Sequence, residues 1–191
     1  GEVHVPGRVG ADSALAIALA AHVSFKNYGP LGIKVHGGGL LLELDTEIKH
    51  IDQAFEGGIR IIGEVGIGSL KDPKRAGELS TYARDLGMVV HMHCGATSDR
   101  GAGGEKHPYF SADDVLTVRP SIASHANSFV SLSDEDVDLV CDHKEGPPFI
   151  EVVQAGGVRS MLRVVERLMD RSDLDRLLVG TDTPTGYGVT S

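Results

Sequence analysis

Polar side chains that bind metal ions or move protons stand at or near the ends of four short apolar runs. Glu64 interrupts Ile61-Ile62-Gly63-Glu64-Val65, and His91 and His93 close Val89-Val90-His91-Met92-His93. His125 follows Ser121-Ile122-Ala123-Ser124, and Asp182 follows Leu177-Leu178-Val179-Gly180-Thr181. A carboxylate within an apolar run is costly unless it neutralises or meets a cation. Imidazole and carboxylate donors together suit a borderline divalent ion such as zinc. His91 and His93 are two positions apart, so on a strand both point the same way and either could reach one ion. Singly, each residue is weak: a histidine at a strand end is more often structural, and an aspartate before Thr-Pro is often a turn former. Together, two imidazoles and two carboxylates converging on one end of a sheet suit a metal ion far better than any of them alone.

Further reactive types lie nearby. Lys34 in Gly32-Ile33-Lys34-Val35-His36 could form a Schiff base, as in a metal-free barrel lyase or aldolase, or could partner a buried carboxylate. His36 follows on the same face, with structural use as its expectation. Cys94 beside His93 has no separate general base in view, so it reads as an inert small residue. Gln154 closes an apolar run and could hydrogen-bond a substrate or satisfy a neighbouring backbone group. Arg100, Lys106 and His107 sit in a long loop, Ala96 to Ser111, as solvated residues or as cations for an anionic substrate.

Strands and helices must position these groups. Strand candidates are Ile33–His36, Arg60–Val65, Met88–His93, Ser121–His125, Phe149–Gln154 and Arg176–Gly180, with a shorter one at Glu2–Val5. Each is a brief apolar run bounded by Gly, Pro or polar residues. Between them, Asp72-Pro73 opens a helix ending before Gly87, with Ala76, Leu79, Ala83 and Leu86 on one face. Val158, Met161, Leu162, Val165, Leu168 and Met169 make a second stripe, expected to pack on a sheet. Ser133 caps a helix to about Cys141, and residues 12–22 are alanine-rich and helical in pattern. Such alternation predicts an α/β fold with a parallel sheet and right-handed crossovers. The favoured form is a TIM-like (β/α) barrel, with a doubly wound sheet as the alternative. A complete barrel needs about 250 residues. At 191 residues the expectation is a single domain over 1–191, an incomplete barrel covering about strands 2 to 8.

Composition narrows the function. Apolar residues make up 41% of the chain, which is globular. No apolar run is long enough for a membrane span and no secretory signal is visible, so no membrane partner is expected. The net charge of −9 argues against nucleic-acid binding. Two cysteines without zinc-type spacing suit a reducing cytoplasm.

The segments KVHGGGLLLE, IIGEVGIGSLKDP, HMHCGATS, SADDVLTVRPSIASHANS, IEVVQAGG and GTDTPTGYG, in this order and spacing, resemble the amidohydrolase superfamily, and within it the hydrolases of cyclic amides. GEVG and GTDTPTG are the most specific pieces. The resemblance implies a two-metal site of zinc and/or iron. Glu64 would bridge both ions, His93 and His125 would bind one, and Asp182 would bind the other and handle protons. It also implies a His-x-His pair on the first barrel strand. No such pair precedes residue 36, and His4 matches a later position, so the chain reads as beginning after that strand. His91-Met92-His93 comes too late to be that pair, which leaves His93 as the ligand and His91 as a supporting or core residue.

What the resemblance implies for activity is hydrolysis of a small cyclic amide by metal-activated water. Asp182 would be the proton carrier, and Gln154, Arg100 and His107 would contact the substrate. Partners are then a small-molecule substrate and further copies of the chain in a homo-oligomer. A non-catalytic fragment with residual ligands remains a distinct reading, beside the Lys34 lyase.

Overall fold

The computed structural model describes residues 10–26, 38–66, 69–96, 108–128 and 130–181. Its elements in chain order begin with α1 (Ala11–Lys26), β1 (Leu40–Leu42), α2 (Ile48–Glu56), β2 (Ile61–Val65), α3 (Pro73–Asp85) and β3 (Val89–His93). There follow α4 (Ala112–Val118), β4 (Ile122–Ser124), α5 (Asp134–Asp142), β5 (Phe149–Val153), α6 (Val158–Asp170) and β6 (Leu177–Gly180). The strands form one six-stranded sheet in the order of the chain, β1 to β6. Pairing is parallel between β1 and β2, β4 and β5, and β5 and β6. Strand order separates the two expected architectures. A doubly wound sheet reverses its order at a switch point, whereas a barrel adds each strand beside the last. The sequential order is that of a (β/α) barrel, here incomplete. The expected strands at Glu2–Val5 and Ile33–His36 lie outside the described residues.

Packing divides the chain into two compact units, Gly1–His91 and Met92–Ser191. In the first, α1 packs on β1 and α2, and α3 packs on β2 and α2. The start of α3 follows the sequence: the Asp72 carboxylate accepts the Arg75 N–H at 3.1 Å, and Pro73 takes the first helical position. Ala76, Leu79 and Ala83 form its buried face, while Leu86 is half-buried. Two elements carry little signal in the sequence. Leu40–Leu42 is a run of three leucines with no alternation. Helix α2 hides its inward face behind a histidine: His50 is buried because its Nδ1 accepts the Glu47 N–H at 2.9 Å and its Nε2 meets Asp12 at 3.1 Å.

In the second unit, α5 begins at Ser133 as the sequence indicates, its hydroxyl accepting the Asp136 N–H at 3.1 Å. Helix α4 occupies a segment with no clear apolar period. It is fixed by a capping box in which the Ser111 N–H donates to Asp114 Oδ2 at 2.9 Å. The stripe expected on α6 requires correction. Val164 and Leu168 are buried, but Val158, Leu162 and Met169 are exposed. At 3.6 residues per turn, the outward positions lie roughly a third of a turn from the buried ones, so the apolar residues span more than one face.

Candidate metal centre

Parallel strands deliver their last residues to one end of the sheet. In β5 and β6 the register pairs Val153 with Gly180, so both strands finish together. The polar residues of interest stand at these strand ends. Glu64 is the fourth residue of β2, His93 ends β3, and His125 follows β4 directly. Each offers one ligand atom, and the three atoms lie within 4.8 Å of one another. His93 and His125 are each only 6% exposed. Their ring centroids are 4.3 Å apart with the planes 71° from parallel.

Local packing holds these rings. Phe110 meets His93 edge to face, with centroids 5.6 Å apart. It is fixed there by a short antiparallel bridge, Gly95 N–H to Phe110 carbonyl and Phe110 N–H to Gly95 carbonyl, both 3.0 Å. On its other side the segment bonds Val130: Ala96 N–H to its carbonyl at 2.8 Å and its N–H to Ala96 carbonyl at 2.9 Å. Gly95 has φ +69°, and a Cβ there would sit 2.1 Å from the Val130 carbonyl oxygen, so only glycine fits behind His93.

His125 is held in a left-handed conformation, φ 39°, uncommon for a residue with a side chain. The residues around it explain how. The Ala126 N–H donates to the Glu151 carbonyl at 2.8 Å. Asn127, fully buried, clasps β5 with its amide: Oδ1 accepts the Val153 N–H at 2.8 Å and Nδ2 donates to the Val153 carbonyl at 3.0 Å. The Asn127 carbonyl in turn accepts the Gly157 N–H at 2.7 Å. Asn127 thus stands in for a strand partner and anchors the turn that presents His125. Its neighbour Ser128 places its hydroxyl 3.3 Å from the carbonyls of Cys94, Ala96 and Val130, tying that turn to the segment after β3.

The fold brings Glu64, His93 and His125 together. His91 is half-buried and lies outside that group. Gln154 follows β5 with its backbone N–H bonded to the Gly180 carbonyl at 3.0 Å and its side chain exposed. Cys94 is buried, with its thiol 3.6 Å from the Met92 carbonyl. Asp182, Arg100, Lys106, His107, Lys34, His36 and His4 lie outside the described residues. Asn127, Phe110 and Glu151 hold the segments that bear His93 and His125, and the sequence reading did not include them. Glu151 gave the same signal as Glu64, a carboxylate inside an apolar run, Phe149-Ile150-Glu151-Val152-Val153.

The chain is 35% identical to the enamidase of Eubacterium barkeri, an alignment covering 99% of this chain and 48% of that protein. A crystal structure of enamidase, a member of the amidohydrolase superfamily, matches with a TM-score of 0.83 at 33% identity, over 98% of this chain and 47% of the other. The chain is a relative of enamidase and shares its amidohydrolase-superfamily fold. It spans about half the length of the enamidase it matches. No family model matches the sequence. Among the described residues, the group recovered in this enamidase-like sheet is two imidazoles and one carboxylate. That donor set fits zinc, with coordination positions left open, and it equally fits ferrous iron.

Proposed function

We propose that this chain is the metal-binding part of an amidohydrolase that opens a small cyclic amide, and that 1–191 forms a single partial barrel domain. The observation that carries the reading is the grouping of Glu64, His93 and His125. The enamidase likeness supports the choice of reaction. Two divalent ions, zinc and/or iron, would polarise the amide carbonyl and lower the pKa of water, supplying a nucleophile at neutral pH. Glu64 would bridge them and His93 with His125 would bind one. Asp182 would bind the second, take the proton from water and return it to the leaving nitrogen. Gln154 would hydrogen-bond the ring, and Arg100, Lys106 and His107 would offset a carboxylate on the substrate, as the acidic chain requires a local positive field. The setting is a cytoplasmic homo-oligomer. Among the described residues, no helix is long and apolar enough to cross a membrane.

The test uses the full-length protein, a small cyclic amide bearing a carboxylate, and detection of the ring-opened product. Ring opening is expected with zinc or iron loaded. It should be lost on chelation and reduced by at least about a hundredfold in Glu64→Gln. Ring opening that survives complete metal removal would overturn the reading.

A further inference from the structure

We infer that Glu151 is a positioning carboxylate for His125, and that Gly180 is glycine so that Glu151 can do this. The inference rests on the metal reading of His125 and adds two residues from the strands beside it. Glu151 lies in the middle of β5 and pairs with Leu178 of β6. Its side chain does not stay at that level. A Cβ on Gly180, two residues further along β6, would fall 2.5 Å from Glu151 Oε1 and 3.3 Å from its Cδ. The carboxylate therefore leans toward the strand ends, over the one position where β6 has no side chain.

From there it reaches the other neighbouring strand. The His125 backbone N–H donates to Glu151 Oε2 at 3.3 Å, and the next N–H, from Ala126, donates to the Glu151 carbonyl at 2.8 Å. One residue thus accepts from two successive N–H groups where the chain leaves β4. That is the point at which His125 turns into its left-handed conformation at φ 39°. A conformation of this kind persists only when its surroundings over-determine it. The two Glu151 acceptors and the Asn127 clasp on Val153 supply that constraint.

Two consequences follow. Removing the carboxylate frees the His125 N–H from one of its acceptors, and the imidazole loses its fixed aim. Adding a methyl group at position 180 has the same effect with Glu151 itself unchanged, because the flexible carboxylate gives way to the new Cβ and leaves the N–H. Glu151→Ala and Gly180→Ala should therefore behave alike, and together no worse than Glu151→Ala alone, since they act on one interaction. Glu151→Gln retains an amide oxygen for the same N–H and should restore most of the wild-type behaviour.

Two readouts separate this inference from the metal reading. In metal-free, isotope-labelled protein, the His125 amide proton reports its hydrogen bond directly. It should move upfield in Glu151→Ala and in Gly180→Ala, stay near its wild-type position in Glu151→Gln, and move no further in the double variant. In protein titrated with Co²⁺ alone, Glu151→Ala and Gly180→Ala should each bind about tenfold more weakly with an altered visible spectrum, and Glu151→Gln should keep both. If the amide proton is unmoved by Gly180→Ala, or if the two alanine variants add, the inference fails even where Co²⁺ binds normally. If wild-type protein binds no Co²⁺, the metal reading fails, and the amide shifts alone decide whether Glu151 positions His125. Loss of dispersed amide signals in an alanine variant is answered by Glu151→Gln, which must then leave the His125 resonance in place.

Discussion

His91 and His93 differ in where β3 places them. Both lie on β3 two positions apart, yet His93 is buried against Phe110 and His125, while His91 is half-buried and outside the candidate group of Glu64, His93 and His125. His93→Ala and His125→Ala should each weaken Zn²⁺ or Co²⁺ binding by more than about a hundredfold, beyond the range typical of an outer-shell change. His91→Ala should stay within a few-fold of wild type, and isothermal titration on the three variants would expose the reverse order. Asn127 has a larger structural role than its place beside His125 suggests. Its side-chain amide satisfies both the N–H and the carbonyl of Val153 in a buried position. Asn127→Ala leaves both groups without that partner and should cost about 2–4 kcal/mol in urea unfolding, with an unchanged m-value. A cost near zero would mean water replaces the amide.

Helices α4, α5 and α6 are joined by side chains whose spacing could be read only once the helices were placed. Arg163 and Arg167 contact Asp138 at 2.9 and 2.7 Å, and Arg167 and Arg171 contact Asp142 one turn further along. The arginines recur at every fourth residue along α6 and its C-cap, Arg171, and the aspartates at the same interval on α5, so the pairs form a ladder. Asp138→Ala removes two rungs and should cost about 1 kcal/mol, less at high salt. A second link lies at the start of α4. Tyr109 donates to Asp136 at 2.6 Å, and Asp136 also accepts the Ala112 N–H at 2.9 Å and the Ser133 hydroxyl. Partial burial pushes the Asp136 carboxyl up, but the hydrogen bonds from Tyr109, Ala112 and Ser133 outweigh it and leave the group below its ordinary value. The folded pKa is therefore below the unfolded one. Its contribution is complete above the unfolded value near 3.8 and is lost as the pH falls through the lower folded value. For Tyr109, burial first and the Asp136 bond second raise the phenol from 10.0 to about 12. That contribution is complete below pH 10 and disappears as the pH rises toward about 12. Stability measured against pH should accordingly lose part of its alkaline limb in Tyr109→Phe and part of its acid limb in Asp136→Asn. Limbs identical to wild type would remove this link from the account.

At the scale of the whole molecule, the alternation of strands and helices was legible because each apolar run ends in Gly, Pro or a polar residue. The number of strand candidates favoured a barrel over a doubly wound sheet, but pattern alone left both open, since strand order depends on pairing between distant segments, and the sequential order β1 to β6 decides it for the barrel. The same holds for the site. The chain advertised Glu64, His93 and His125 as candidates by type and position, but their approach to within 4.8 Å is a property of the sheet. Helix α2 and strand β1 were missed because a buried histidine and a run of leucines show neither period clearly, and α6 misled because its apolar residues exceed what one buried face can take. A metal that binds only the folded chain must also stabilise it. Zinc at about a hundred times its dissociation constant should add about 2.7 kcal/mol, and the rise in melting temperature should vanish in His93→Ala. The most direct test of the central claim is X-ray absorption on the zinc-loaded protein. Two imidazoles with light-atom distances of about 2.0–2.1 Å are expected in wild type, and one imidazole in His125→Ala. A spectrum that is unchanged by both His93→Ala and His125→Ala, or a chain that retains no zinc at all, would contradict the account.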